Sequence, residues 1–330
     1  MKNSLVKFAK AYIKSMRLYY AFITGIAGWL GASFYIFTTN AHYPDVQVIP
    51  PTEKQFVIIV FLFLSWGINQ IFNDFLGIKE DRVNAPHRPM VTGDLNAKAA
   101  LTVSICLMIF VGFVTYFYLE PIALIPMLLG VALNILYEYA KGYGILGNIV
   151  FGLMITMCCA YGFLASGPAA FPIFTPDRIA VISVVWLMNS LMTYYTYFKD
   201  YEGDKLAGKN TIVVKYGIEK AKWIGVFSSF LPAVVFIAIY LSGFMTVTPS
   251  TTFWVLAALT FCLEVWTGYL YYKNPVGEKT YDSLAANFRA CACGQAAFVA
   301  LFNDQLALIL FLLSYIFVGF LFGLHKNREA

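Results

Sequence analysis

The sequence predicts an all-α integral membrane protein in which about nine transmembrane helices form two four-helix repeats around a central cavity. Three observations lead to this prediction. Of the 330 residues, 60% are hydrophobic and 12% are charged, which is about half the charged fraction of a soluble globular chain. Apolar stretches long enough for one bilayer crossing recur along the chain. Two acidic segments follow the second and sixth of these stretches. This composition excludes a water-soluble enzyme and a disordered chain.

The chain begins with a basic, amphipathic segment, residues 1–16, which we predict to be an interfacial helix. Its lack of an uninterrupted apolar core argues against a cleavable signal peptide. Apolar spans, each about one bilayer crossing long, then cover roughly residues 18–37, 54–76, 98–118, 120–140, 146–166, 178–198, 221–242, 252–272 and 306–323. Segment 284–302 is apolar but carries Arg289, so it is either interfacial or a tenth crossing.

Basic residues are concentrated before span one and after spans two and six. The positive-inside rule therefore places the N-terminus and both acidic loops on the cytoplasmic side. The 23 basic against 18 acidic residues give too small an excess, too concentrated beside apolar spans, to indicate nucleic-acid binding. We predict a single multi-pass membrane domain in contact with the lipid bilayer. Its first repeat covers residues 18–140, its second 146–272 and its C-terminal helices 273–330.

The first acidic segment lies at the end of span two. Asp74 and Asp81 are seven residues apart, which is two helical turns, so they share one helix face with Gly77 between them. Asn73 precedes the first of these aspartates. A helix end in lipid does not tolerate such side chains without partners. They are therefore expected to line a cavity or to reach water.

The second acidic segment lies at the end of span six, where Asp200 and Asp204 stack on one helix face. Because the two segments occupy equivalent places in the repeats, we predict that their carboxylates face each other. Magnesium ions take carboxylate oxygens together with water and substrate phosphates, so this pattern indicates a diphosphate clamp. The bases that could neutralise the remaining phosphate oxygens are Arg82, Arg88, Lys141, Lys205 and Lys209. Solvated charged loops are the alternative, which the recurrence of the acidic spacing disfavours.

Three segments resemble the UbiA superfamily of intramembrane prenyltransferases. Residues 73–93, with Asn73-Asp74, Gly77, Asp81 and Arg88-Pro89 in order, are similar to its first signature, and residues 200–209 to its second. Residues 136–148, with Tyr137, Lys141 and Asn148, are similar to the conserved segment between spans four and five. The resemblance covers roughly residues 15 to 275.

The resemblance implies Mg²⁺-dependent transfer of an isoprenyl group from an isoprenyl diphosphate to a lipophilic acceptor within the membrane. The acceptor would be an aromatic ring of the quinone or pigment type, or a lipid hydroxyl. We predict that the catalytic and metal-binding residues are Asp74, Asp81, Asp200 and Asp204. We predict that the substrate-binding residues are Asn73, Arg88, Tyr137, Lys141, Asn148, Lys205 and Lys209.

One position departs from the family pattern, since the first motif normally carries an aspartate where this chain has Gly77. One expected metal ligand is therefore missing. A neighbouring acid, Asp74 or Glu80, could compensate, as could fewer metals assisted by basic residues. An amide oxygen from Asn69 or Asn73 could also serve as the missing metal ligand.

The departure also raises the alternative of a membrane terpene cyclase on the same scaffold, in which the carbocation is quenched internally. A transporter or lipid-binding scaffold is the remaining alternative. It is disfavoured because the acids cluster at one membrane face and not at the midplane, where transporter sites lie.

Two further charged residues lie outside the motifs. Arg17 opens span one, where we interpret it as an interfacial anchor. Glu264 lies in span eight among apolar neighbours, and a carboxylate within the membrane is costly. It could act on an acceptor or pair with a neighbouring helix.

Overall fold

The structure is a computed structural model that describes residues 2–42, 51–169 and 172–329. The described chain is almost entirely helical. The long helices are α1 (Lys2–Met16), α2 (Phe22–His42), α3 (Thr52–Leu76), α6 (Ala97–Phe117), α7 (Leu124–Ala140), α8 (Leu146–Ala165), α9 (Pro176–Thr196), α11 (Ile212–Ser228), α12 (Leu231–Leu241), α13 (Thr251–Lys273), α14 (Thr280–Val299) and α15 (Asp304–Glu329). The short elements are α4 (Ile78–Asn84), α5 (Pro89–Thr92), α10 (Tyr201–Leu206), the strands β1 (Tyr143–Gly144) and β2 (Asn210–Thr211), and the 3₁₀ turns Leu18–Tyr20 and Pro121–Ala123.

Eight helices in the described part of the chain are long and apolar enough to cross a membrane. Helices satisfy their own backbone hydrogen bonds, which is why an apolar chain in lipid folds this way. The predicted all-α membrane fold is confirmed. The count of nine spans, the two-repeat arrangement and the surface position of α1 stay predictions. The seventh span begins earlier than predicted, because α11 and α12 together cover Ile212–Leu241.

The centre of the bundle is formed by α8, α9 and α14, while α6 and α7 are mostly exposed on its outside. Helices α2 and α8 cross very closely. A Cβ atom at Gly31 would collide with the carbonyl oxygen of Cys159, and one at Gly162 with that of Gly28. Small residues allow such close backbone packing between membrane helices.

Segment 284–302 forms most of α14, which is buried along nearly its whole length. It packs against α2, α9, α13 and α15. A helix lying at the bilayer surface would leave one face exposed, so this burial argues against the interfacial alternative. Its 20 residues span about 30 Å, which is enough for a crossing.

The polar end of the bundle contains two features that position the site. Span two ends at Leu76, and α4 follows directly after Gly77, so the single helix expected from Asp74 to Asp81 is interrupted. The strands β1 and β2 pair in parallel, tying the chain after α7 to the chain after α10. This pairing was not predicted, because two-residue strands have no periodic sequence pattern.

Candidate active site

A cavity of about 220 Å³ lies between the helices at the polar end of the bundle and extends into their apolar interior. Its apolar part is formed by α3, α6, α7 and α8, with Phe61, Met108, Val111, Met127, Val131, Met157 and Tyr161 on the wall. Its polar part contains Asn73, Asp74, Glu80, Asp81, Arg88, Glu138, Lys141, Asp200 and Lys209. Such a cavity fits a ligand with a strongly charged end and a long apolar body.

The aspartates of the first motif are joined by one arginine. Arg88 forms an ion pair with Asp81 and lies 3.5 Å from Oδ1 of Asp74. Asp74 is buried and also accepts a 3.0 Å hydrogen bond from Gln70. Burial raises the pKa of Asp81 against the attraction of Arg88. Although the helix is interrupted at Gly77, both aspartates therefore face the same basic group.

Arg17 is a site residue that the sequence analysis missed. Its guanidinium forms an ion pair with Asp74, and its side chain is 10% exposed, so the interpretation as an interfacial anchor is wrong. The backbone of Arg17 takes a left-handed conformation, with φ at 46°, between α1 and the first 3₁₀ turn. Helical periodicity gives no signal for this contact, because the two residues are 57 positions apart.

The aspartates of the second motif are joined by Lys141. Its ammonium lies 2.8 Å from Asp204 and 3.6 Å from Asp200, which is also 3.4 Å from Lys199. Burial raises the pKa of Asp204 to about 6, against the attraction of Lys141. Burial opposes ionisation of Asp200 too, but Lys199 and Lys141 hold its pKa well below the usual range.

Only one of these two aspartates lines the cavity. Asp200 lies on the wall, whereas Asp204 is fully buried beside Lys141, away from the wall. The structure therefore places Asp204 beside Lys141 and not on the cavity wall. The role of direct metal ligand that was expected for Asp204 stays a prediction. Asp200 directly precedes α10 and Asp204 lies inside it, where its backbone N–H donates a 2.9 Å hydrogen bond to the carbonyl of Asp200.

The two motifs contact each other directly. The side-chain oxygen of Asn84, the last residue of α4, accepts a hydrogen bond from the backbone N–H of Gly203 in α10 at 2.9 Å. A Cβ atom at Gly203 would collide with the Asn84 side chain. The structure thus brings the two acidic segments to one cavity, with a glycine allowing the close approach.

A third ionic group lies beside the motifs. Lys209 forms an ion pair with Glu138 at the end of α7, and its ammonium lies 3.2 Å from Glu80. Burial alone would raise the pKa of Glu80, but a backbone hydrogen bond and the attraction of Lys209 lower it. Glu138 was not among the predicted site residues, although it lies within the segment that contains Tyr137 and Lys141.

Three predicted phosphate-binding or substrate-binding residues lie elsewhere. Lys205 and Arg82 are exposed, and the ammonium of Lys205 lies 5.6 Å from the centre of the Tyr201 ring. Lys205 follows Asp204 on a helix, where consecutive side chains diverge by about 100°. Asn148 is buried and donates a 3.2 Å hydrogen bond to the carbonyl of Ser190, where it links α8 to α9.

Two other predicted residues do line the cavity. The ring of Tyr137 packs edge-on against Phe151, with centroids 5.3 Å apart. Asn73 lies beside Asp74, and its side-chain oxygen is buried without a hydrogen-bond partner in the described structure. Both are therefore positioned to contact a ligand.

Glu264 lies outside this site. It borders a separate, largely apolar cavity of about 290 Å³ between α9, α12, α13 and α14, together with Thr260. Within the described residues it forms no ion pair. This position does not support a direct role beside the acidic motifs.

The oxygen atoms of the polar end are suited to a hard cation. Among the described residues, no three His, Cys, Asp or Glu side chains gather closely enough to hold a metal ion alone. In the part of the chain that the structure describes, buried oxygens without a hydrogen-bond partner include Oδ1 of Asn73, Oδ2 of Asp74 and Oδ2 of Asp204, and such atoms are costly unless a ligand satisfies them. Magnesium ions commonly take a few protein oxygens and complete their coordination with water and phosphate. The residues present fit that kind of site.

Comparison with known proteins gives a consistent result. The sequence model of the UbiA prenyltransferase family matches residues 45–291. Digeranylgeranylglyceryl phosphate synthase of Sulfolobus acidocaldarius is 28% identical over 249 residues, which is 72% of this chain and 83% of that protein. The synthase of the same name from Thermococcus sibiricus is 30% identical over 226 residues, or 67% and 73% of the two chains.

Solved structures share the fold. A UbiA homologue from Archaeoglobus fulgidus bound to GPP and Mg²⁺ matches with a TM-score of 0.60 at 15% identity, covering 87% of this chain and 99% of that one. The apo structure of a UbiA homologue from Aeropyrum pernix K1 matches with a TM-score of 0.64 at 14% identity, covering 85% and 96%. At these identities the likeness shows the fold alone.

Proposed function

Since this chain belongs to the UbiA prenyltransferase family, we propose that it transfers an isoprenyl group from a prenyl diphosphate to the hydroxyl of a lipid glycerophosphate. In this reaction the bond between the allylic carbon and the diphosphate oxygen breaks. An ether bond forms between that carbon and the acceptor oxygen, the hydroxyl proton is released, and diphosphate leaves. The proposal rests on one cavity. Aspartates of both acidic motifs line its polar part, and apolar side chains of α3, α6, α7 and α8 line the rest.

The polar wall supports the assignment of the donor. Arg88, Lys141 and Lys209 lie on it and would donate charge-assisted hydrogen bonds to diphosphate oxygens. The apolar part between α3, α6, α7 and α8 would hold the isoprenyl tail. We also place this polar end at the cytoplasmic face, because the basic residues are concentrated in the loops around it.

The oxygens of Asn73, Asp74, Asp81 and Asp200, all on the cavity wall, would hold Mg²⁺. When bound, the metal would neutralise the negative charge of the departing diphosphate. A related structure supports this assignment, since that UbiA homologue from Archaeoglobus fulgidus is bound to GPP and Mg²⁺. The protein side chains would contribute the orientation of the diphosphate and a fixed set of charges around it.

Four aromatic rings also contribute to the wall of the cavity. Tyr20 stacks on Phe288 with centroids 4.4 Å apart, and Trp66 contacts Phe151 edge-on at 6.2 Å. All four rings line the cavity. Ring faces attract a cation electrostatically, so they would stabilise the developing charge on the allylic carbon without reacting with it.

The acceptor is assigned from the relatives. Both synthases described above are named for a glyceryl phosphate product, which favours the lipid hydroxyl over the aromatic ring. Purified protein in liposomes should be incubated with labelled prenyl diphosphates, Mg²⁺ and either a glycerophosphate that carries one prenyl ether or an aromatic acid. Mass spectrometry should show prenylated glycerophosphate, and EDTA should abolish its formation.

The same assay separates the alternatives. Hydrocarbon or alcohol products formed without any acceptor would identify a terpene cyclase. Prenylation of the aromatic acid alone would contradict the proposed acceptor. Uptake of lipid or diphosphate by the liposomes, without Mg²⁺-dependent release of diphosphate, would identify a transporter.

A further inference from the structure

We propose that Glu138 supplies, from α7, the metal-binding carboxylate that the first acidic motif lacks at Gly77. The inference rests on the proposed function, because it assigns Glu138 to the site that holds Mg²⁺ and diphosphate. It extends that function by naming a metal ligand that lies outside both acidic motifs.

The geometry at Gly77 is the first argument. Gly77 lies between Asp74 and Asp81, at the junction where α3 ends and α4 begins. A Cβ atom built at Gly77 would lie 3.7 and 3.8 Å from the two carboxylate oxygens of Glu138. The Glu138 carboxylate therefore occupies the space that an aspartate at position 77 would enter.

The backbone does not require glycine at this position. Gly77 has φ at −93° and ψ at 16°, a conformation that any L-residue can adopt. The other close atom is the carbonyl oxygen of Asn73, 3.0 Å from the built Cβ, which would have to retreat by a few tenths of an ångström. The absence of a side chain at Gly77 is therefore explained better by the room it leaves for Glu138 than by backbone strain.

The distribution of charge is the second argument. In the first motif two arginines pair with two aspartates, and in the second two lysines pair with two aspartates. Among the described residues, Lys209 is the one base that forms an ion pair with Glu80 or Glu138, and it contacts both. The side chains of these three residues are between 14% and 18% exposed. This group therefore carries an excess negative charge at the cavity wall. A nearby cation would lower the free-energy cost of burying that charge.

A positioning role for Glu138, in which it only orients Lys209, makes different predictions. In that case Lys209→Met should weaken Mn²⁺ binding at least as much as Glu138→Gln, because it breaks the ion pair with Glu138 and also the contact with Glu80. A new carboxylate at position 77 would not restore the loss. A metal-binding role predicts that the carboxylate matters more than its lysine partner, and that it can be supplied from position 77.

The test is the affinity for Mn²⁺, a spectroscopically visible substitute for Mg²⁺, measured by electron paramagnetic resonance on purified full-length protein with inorganic diphosphate. Loss of a residue that supports a metal site costs about tenfold to a hundredfold in affinity, so Glu138→Gln should weaken binding at least tenfold. Glu202→Gln, the removal of an exposed carboxylate in α10, is the matched control and should bind as wild type. The double variant Gly77→Asp with Glu138→Gln should recover most of the lost affinity.

Unchanged Mn²⁺ affinity in Glu138→Gln, with binding by the wild type intact, would overturn this inference and leave the proposed function standing. A loss in Lys209→Met at least as large as that in Glu138→Gln, without rescue by Gly77→Asp, would also overturn it. No binding by the wild type would instead count against the proposed function. Where Glu138→Gln does not fold, Glu138→Asp keeps the charge but retracts the carboxylate. Weaker Mn²⁺ binding by that variant supports the proposal, and wild-type binding contradicts it.

Discussion

The backbone N–H of Gly203 donates a hydrogen bond to the side-chain oxygen of Asn84 at 2.9 Å, and this contact joins two acidic motifs that are 119 residues apart in the chain. Helices α4 and α10 pack against each other around it. The relative positions of Asp81 and Asp200 therefore depend on a contact made by neither aspartate.

We expect Gly203→Ala to lower kcat/KM for the prenyl diphosphate by at least tenfold, because the added methyl group would displace the Asn84 side chain and break the hydrogen bond that joins α4 to α10. A displacement of about 1 Å at a catalytic site can cost a hundredfold in rate. Steady-state release of diphosphate measures the effect. Gly323→Ala is the control, since a Cβ atom there has no neighbour within 4 Å. Wild-type kinetics in Gly203→Ala would show that the contact does not set the site geometry.

Two substitutions of Arg17 that remove the same ion pair should differ in their effect on the melting temperature. Arg17→Ala and Arg17→Gly both leave Asp74 without this partner, so both should lower activity. The left-handed backbone at residue 17 costs a side-chain-bearing residue about 1–2 kcal/mol, a cost that glycine avoids. The melting temperature in detergent should therefore be higher for the glycine variant. Equal melting temperatures would argue against a left-handed conformation at this residue.

Substitution of the two aspartates of the second motif should have different effects on the Mg²⁺ requirement. Asp200→Asn and Asp204→Asn should each lower turnover by at least tenfold, because the loss of a positioned electrostatic group costs a few kcal/mol of barrier. Asp200 lies on the cavity wall and Asp204 does not. Asp200→Asn should therefore also raise the Mg²⁺ concentration that gives half-maximal activity, whereas Asp204→Asn should leave it near the wild-type value. A Mg²⁺ titration of both variants checks this, and identical shifts would contradict the placement.

Much of this site could be predicted from local spacing. The pairs Asp74 and Asp81, and Asp200 and Asp204, follow helical periodicity, which depends only on neighbouring residues. In contrast, Arg17 reaches Asp74 and Glu138 reaches Lys209 through tertiary packing, for which periodicity gives no signal.

The dependence on tertiary packing also explains why two residues predicted to bind substrate do not line the cavity. Lys205 lies within a motif but on the wrong face of α10 to reach the cavity. Asn148 was assigned to the site from its position in the chain, yet its side chain links two helices. A segment that resembles a family motif therefore identifies the neighbourhood of a site more securely than it identifies each contact.

The apolar part of the cavity predicts a change in donor preference. Gly130 of α7 lines this part, and a Cβ atom there would lie 3.5 Å from the Cβ atom of Met157 on α8, in ordinary contact. A leucine at position 130 would therefore extend into the space proposed for the tail. Tyr161 of α8 also lines the cavity, and its hydroxyl forms a 2.8 Å hydrogen bond with the hydroxyl of Thr115.

We expect Gly130→Leu to lower kcat/KM for a four-isoprene donor by more than for a two-isoprene donor, because overfilling a packed apolar space costs about 1–3 kcal/mol. Competition between the two donors at equal concentration, with products resolved by mass spectrometry, measures the ratio directly. Gly323→Leu, on the outside of α15, is the control and should leave the ratio unchanged. An unchanged ratio in Gly130→Leu would mean that the tail leaves the cavity before it reaches α7, by a path between other helices.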